Sequence, residues 1–273
     1  MKNTIRIILA LLVLSFCFST VAEAQRKKVL FLPKYDEEPY HFGFLLAVNS
    51  MSYTIALREN YQNIDITKGS DNWDQYLDQA YLNGVNSSNI KELYIYNIET
   101  QHVPGFTVGI IGNKRLGPRF DLRLIPTLSL GERKMDYSFY VKRMGNNTIS
   151  PLDNNKPLTQ SIFSTFVEFP LQLKYRSKRL NNVAAYIIGG VNPKLDLTSR
   201  KRAQSNKFFI PKRFDLALEL GTGFDFYNQW FKMGVEVKMS YGVFNIIKEP
   251  ADIYTSSIDK LSNKMFQLSF TFE

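Results

Sequence analysis

Between Phe214 and Val243 apolar residues take every second position. Phe214, Leu216, Leu218, Leu220, Phe224 and Phe226 alternate with Asp215, Ala217, Glu219, Gly221, Gly223 and Asp225. After a polar break at 227–230 the phase changes. Phe231, Met233, Val235, Val237, Met239, Tyr241 and Val243 then alternate with Lys232, Gly234, Glu236, Lys238, Ser240 and Gly242. A period of two is the signature of a strand, and two such runs around a short turn make an antiparallel hairpin. Each run reaches or exceeds the ~9–11 residues a tilted transmembrane strand needs. Two architectures fit: a soluble β-sandwich or barrel with the apolar face inward, or a membrane barrel with it outward.

The same alternation predicts six more strands. Phe42, Phe44, Leu46 and Val48 mark the first, and Phe106, Val108 and Ile110 the second. Phe120, Leu122, Leu124, Pro126, Leu128 and Leu130 mark the third. Its phase slips near Gly131 before Tyr137, Phe139 and Val141, which suggests a bulge. Pro126 has no amide to donate and weakens that strand locally. Phe163, Val167, Phe169, Leu171, Leu173 and Tyr175 mark the fourth; Val183, Ala185, Ile187, Val191, Leu195 and Leu197 the fifth. The hairpin supplies strands six and seven, and Phe266, Leu268, Phe270 and Phe272 the eighth. Within the long connection at about 58–104, Trp73, Tyr76, Leu77, Ala80 and Tyr81 have helical spacing behind the caps Ser70 and Asp71. Leu93 to Ile98 could extend a strand.

Long and short connections alternate without exception, and both ends of the chain fall on the short-turn side. At that side the outward residue of six strands is aromatic: Phe42, Phe120, Tyr175, Phe226, Phe231 and Phe272. Loop asymmetry and an aromatic girdle favour the membrane architecture. The fold expected is all-β: an eight-stranded antiparallel transmembrane β-barrel over 40–273, with short periplasmic turns and long extracellular loops.

Composition adds a location. Lys2 and Arg6, the apolar run Ile7 to Phe18 and Ala22-Glu23-Ala24 read as a signal peptide over 1–24, followed by a periplasmic lead-in over 25–39. This predicts export to the outer membrane. The one cysteine, Cys17, lies in the leader, so disulfides, thiol nucleophiles and thiolate metal sites are not expected. The net charge of +9 falls to +8 without Lys2, Arg6 and Glu23. It suits anionic lipid, and export argues against nucleic acid.

Facing inward by parity are Asp121, Arg123, Glu168, Lys174, Lys194, Asp196, Asp215, Glu219, Asp225, Lys232, Glu236 and Lys238. Eight strands leave an interior that side chains fill. Near-balanced charge there reads as a structural ion-pair network rather than a transport path. His41 and His102, the two histidines, form no defensible triad or metal motif, so no enzyme activity and no cofactor are expected. Arg200, Lys201 and Arg202 open a basic loop that is either solvated or in contact with lipopolysaccharide. Leu30, Phe31 and Leu32 have no place in the strand plan. With the basic turns at Lys114 and Arg115 and at Arg176, Lys178 and Arg179 they form a candidate docking surface. The alternative is that this segment folds back under the barrel mouth as a plug.

Leu32 to Phe44, Pro104-Gly105-Phe106, Phe120-Asp121-Leu122-Arg123, Glu168-Phe169-Pro170-Leu171 and the segments Tyr254 to Asp259 and Leu268 to Glu273 resemble the PorT family. Members are outer-membrane β-barrel components of the type IX secretion system of Bacteroidetes. The resemblance implies a role in protein export with other secretion-system proteins as partners, and transfers no catalytic residue. A generic outer-membrane barrel that binds surface ligands or lipopolysaccharide, or an adhesin, is the other reading.

Overall fold

The computed structural model describes residues 29–59, 65–67, 90–145, 148–151, 158–198, 211–247 and 257–273. The leader, the helix expected around 70–81 and the basic loop with Arg200, Lys201 and Arg202 lie outside them. Among the described residues no helix is long and apolar enough to cross a membrane. A single 3₁₀ turn, Tyr35–Glu37, precedes an antiparallel sheet.

The sheet has thirteen strands, not the eight expected. They are β1 (Tyr40–Leu57), β2 (Asp65–Thr67), β3 (Ile90–Gln101), β4 (Val103–Arg115), β5 (Phe120–Leu124), β6 (Thr127–Arg143), β7 (Ile149–Pro151), β8 (Leu158–Glu168), β9 (Leu171–Arg176), β10 (Val183–Asp196), β11 (Phe214–Tyr227), β12 (Lys232–Gly242) and β13 (Ile258–Phe272). Proline accounts for two of the extra strands. Pro126 separates β5 from β6, and Pro170 separates β9 from β8, because neither can donate to a ladder. The neighbouring bonds are made around them, Ile110 N–H to the Pro126 carbonyl and Ile125 N–H to the Pro170 carbonyl. The third extra comes from the long connection, where β3 fills 90–101. β2 and β7 are short additions alongside β3 and β6.

The ladder closes on itself. β11 pairs with β12, β12 with β13, β13 with β1, and β1 with β4. β4 pairs with β5 and β6, these with β9 and β8, both of those with β10, and β10 with β11. One row of partners runs Phe214, Leu195, Val167, Leu128, Val108, Leu46, Phe270, Val235 and back to β11 at Phe224, ten residues further along. Such a stagger tilts every strand by ~35–45°.

The wall changes character partway up, and β6 shows it best. Its odd residues face inward throughout: Thr127 and Ser129, then Arg133, then Met135, Tyr137, Phe139 and Val141, all buried. Its even residues face outward, apolar at Leu128 and Leu130, polar from Glu132 through Lys134 and Asp136. No bulge occurs near Gly131, where pairing with β8 is continuous. The apparent phase slip is an exchange of chemistry between two faces that keep their directions. Register shifts lie instead in β3, between Ile90 and Glu92 and between Ile95 and Asn97, and at the far end of β1, between Ala56 and Leu57. The long-loop half therefore has an apolar interior of Tyr53, Ile95, Ile98, Met135, Tyr137, Phe139, Ile162, Ile258 and Leu261, covered by Ile246 and Ile247. The short-turn half has a mainly polar interior, with one apolar patch of Leu45, Ala47, Ile111 and Ile125, inside an apolar exterior.

Candidate functional site

Strand parity places every predicted interior charge. Asp121, Arg123, Glu168, Lys174, Lys194, Asp196, Asp215, Glu219, Asp225, Lys232, Glu236 and Lys238 are all buried. Charges taken out of water hold only when paired and hydrogen-bonded, and most of these groups meet that demand, in tiers, while second atoms such as Glu236 Oε1 and Arg123 Nε have no protein partner among the described residues. Towards the long loops Arg133 pairs with Asp196 at 3.4 Å and donates to Asn263 and Ser164, and Asn263 donates to Asp215 at 2.7 Å. The Arg133 guanidinium also lies over the rings of Tyr53 and Phe166, at 4.5 and 5.0 Å. In the middle Lys238 meets Glu219 at 3.2 Å and Lys194 meets Glu168 at 3.5 Å, with the Asn192 amide donating to both carboxylates.

The lowest tier is the densest. Glu236 accepts from Arg123 at 2.8 Å and from the Tyr186 hydroxyl at 3.1 Å. Lys174 pairs with Asp225 at 2.7 Å, its ammonium 3.7 Å from the centre of the Tyr186 ring. Lys232 pairs with Glu273 at 2.8 Å. Burial pushes the Glu273 carboxyl up, but Lys232, Lys174 and Arg123 outweigh it and hold the group well below the usual carboxylate range.

Below this tier the lead-in folds into the mouth. Tyr35 stacks on His41 at 4.0 Å, meets the edge of Tyr227 at 6.0 Å and directs its hydroxyl to Glu273. Burial, with Glu273 beside it, pushes the Tyr35 hydroxyl well above the usual tyrosine range, so it stays a donor. Asp36 pairs with Arg176 and accepts from the Tyr227 hydroxyl at 2.8 Å, while Arg176 also donates to Tyr227 at 3.0 Å. Arg179 donates to the carbonyls of Phe31 and Leu32, and Asn182 accepts from the Phe31 amide and donates to the Val29 carbonyl. These bonds secure Leu32 in the left-handed backbone region, φ 47, costly for a branched residue.

The structure therefore divides the candidate docking surface. Arg176 and Arg179 are not free to steer a partner, because the lead-in occupies both, and Phe31 and Leu32 are only partly exposed. Val29 and Leu30 project, at 76% and 48% exposure. Lys114 lies over the Tyr40 ring at 5.8 Å, and Arg115 donates to the Glu37 carbonyl at 2.8 Å. Lys178 is exposed. All six girdle aromatics lie at the short-turn end. Phe42, Phe120, Tyr175 and Phe231 are exposed, and Phe226 and Phe272 half-buried. Phe120 packs on Tyr175 at 5.0 Å and Phe231 on Phe272 at 6.0 Å.

Sequence reasoning passed over Arg133, Tyr186, Tyr227 and Glu273 as network members, and Tyr35 and Asp36 as closures of the mouth. Parity alone carries Arg133 and Tyr227 inward, one from Ser129 along β6 and the other from Asp225 along β11. The return of Tyr35 and Asp36 depends on a contact between distant segments, and no local pattern encodes it. Among the described residues no cluster of His, Cys, Asp and Glu is arranged to hold a metal ion.

A family model described as "Outer membrane protein beta-barrel domain" matches residues 51–248. No curated protein matches. Similar solved structures include the outer membrane protein OprG from Pseudomonas aeruginosa, at 12% identity over 84% of this chain and 95% of that one, with a TM-score of 0.37. Another is Ail, the attachment invasion locus protein of Yersinia pestis, at 7% identity over 86% and 98%, with a TM-score of 0.33.

Proposed function

We infer that this chain, which belongs to the outer-membrane β-barrel protein family, is a non-enzymatic component of a type IX protein secretion system that acts through its periplasmic surface. Its eight wall passes span the outer membrane, with β3–β4, β5–β6 and β8–β9 each counted as one. The short turns and the lead-in face the periplasm and the long connections face outside. The observation that carries the reading is the filled bore. Arg123, Lys174, Asp225, Lys232, Glu236 and Glu273 occupy its lower half, Tyr35 and Asp36 close its mouth, and an apolar cluster fills its upper half. No polypeptide can pass through such an interior, so a contribution to export is made at a surface. On the periplasmic side the exposed apolar pair Val29 and Leu30 and the exposed Lys178 offer one for a secretion-system partner. The resemblance of Leu32 to Phe44 and of the segments ending at Glu273 to the PorT family supports the choice of system.

Deletion of the gene tests this, with exported protein measured in the medium. Loss of secretion, restored by the wild-type chain, is expected. A chain with Leu30, Phe31 and Leu32 all changed to Ser should reach the outer membrane at wild-type level and fail to restore it. Undiminished secretion in the deletion strain sinks the export role and leaves a barrel that binds surface ligands through its outer loops.

A further inference from the structure

The outward apolar belt is not the same height all round. On β11 it runs from Phe214 to Phe226, broken only at Thr222, and on β12 from Met233 to the flanking Val243. At ~3.3 Å per residue and a tilt of ~40° the β11 run covers about 30 Å, the thickness of a bilayer core. On β1 the belt runs only from Phe42 to Val48 and on β13 only from Phe266 to Phe272. The same conversion makes each about 15 Å. On β4 the exposed apolar residues are Phe106 and Ile110, with Val108 half-buried between them.

Register rules out a simple vertical offset. Lys264 of β13 is the direct partner of Tyr241 of β12, at a level where β12 is still apolar. Ser50 of β1 is flanked by Phe266 and Pro104, and Lys264 by Ser52. The Ser50 hydroxyl meets the exposed His102 ring at 3.5 Å. A polar step made of Ser50 and Lys264 thus replaces the upper part of the belt on β13 and β1, while β4 stays apolar through Phe106 and Pro104 up to His102. At the lower rim of the same wall β13 stops at Phe272 while β1 runs down to Tyr40. That leaves an apolar cleft of about 440 Å³ lined by Phe42, Phe44, Phe231 and Phe272.

We propose that the β13–β1 wall is a lipid-deforming face: phospholipid packed against it is drawn down towards the level of Ser50 and Lys264, and an acyl chain lies in the cleft at its foot. The alternative leaves the Lys264 ammonium and the Ser50 hydroxyl in hydrocarbon, where polar side chains are expensive, whereas bilayers take up a short belt by local thinning. Lipid suits the wall below the step because Phe44, Leu46, Val48, Phe106 and Phe266 are each 40–53% exposed there. The proposal rests on the reading of these strands as membrane-spanning.

Site-directed spin labelling tests both, since no cysteine lies beyond Cys17. One nitroxide goes at Ser50→Cys and one at Leu216→Cys, level with it on the opposite wall once the stagger of the ladder is allowed for. The full chain without its leader is reconstituted in dioleoyl phosphatidylcholine. Relaxation by a water-soluble nickel chelate, relative to oxygen, should be several-fold greater at Ser50 than at Leu216. Equal burial of both labels in lipid overturns the thinning. Equal exposure of both to water overturns the spanning reading with it. In native outer membranes the Ser50→Cys thiol should react with a water-soluble maleimide as readily as in liposomes. Protection in native membranes alone gives the wall to a protein partner and overturns the lipid proposal.

Discussion

Glu236 accepts from Arg123 and Tyr186 at once, and both it and Arg123 are wholly buried. Glu236→Leu leaves a guanidinium in the bore without its counter-charge, at a cost of about 3–5 kcal/mol. Urea titrations followed by the gel shift between folded and boiled protein should show that loss. The double change with Arg123→Leu should restore part of it, since neither charge is then stranded. Tyr186 makes a neighbouring glycine a second sensitive point. A Cβ on Gly223 would lie 2.6 Å from the Tyr186 hydroxyl and 2.5 Å from the Val235 carbonyl oxygen, whereas one on Gly189 meets nothing nearer than 3.9 Å. Gly223→Ala should therefore destabilise in the same titration. Gly189→Ala should be neutral or gain up to ~1 kcal/mol from the lower backbone entropy of the unfolded chain. Glu273 sets a pH dependence. Its folded pKa is depressed, so its contribution is complete above the unfolded value of about 4.3 and fades as pH falls below that. Unfolding midpoints should drop below about pH 4 in the wild type. They should be lower but flatter with pH in Lys232→Met.

At the scale of elements, the lead-in behaves as a strap rather than a tail. Asp36 joins it to Arg176 and Tyr227, and Arg179 and Asn182 hold Val29 to Leu32. Asp36→Ala should expose the segment between Val29 and Tyr40 to protease in detergent while the wall keeps its heat-modifiable mobility. Unchanged protection would mean that Arg179 and Asn182 suffice alone. The strands themselves were readable because alternation is a local signal, and the parity that put Asp121, Lys174 and Glu236 inward holds in space. Two features were legible only in part. Proline breaks a strand without disturbing its register: Gly112 to Leu124 and Gly109 to Thr127 belong to one continuous alignment across Pro126. Tyr137, Phe139 and Val141 also read as a continuation of the outward apolar face, although they point in. Hydrophobicity marks the dry side of a strand, and above the lipid the dry side is the interior.

At the scale of the molecule, the two interiors act in series. Ions entering from the short-turn end meet Tyr35, Asp36 and the lowest tier of pairs; beyond these the apolar cluster under Ile246 and Ile247 offers no solvation. Planar bilayers containing the protein should show no steady conductance of porin size. Stable large channels would mean that the network opens. The outer-membrane family accounts for the wall, and the proposed export role rests on surfaces that the secretion assays address.

The pairing of β1 with β13 also imposes an order in time. Its fourteen registered partners join residues more than two hundred positions apart, from Phe44 with Phe272 upward. Until the last strand arrives, β1 presents an unmatched edge, and edges of that kind recruit other chains. Contacts so distant form slowly. A nascent chain delivered segment by segment must therefore be shielded along its whole length, and a chain cut short before Ile258 should accumulate as aggregate rather than as a smaller version of the same wall.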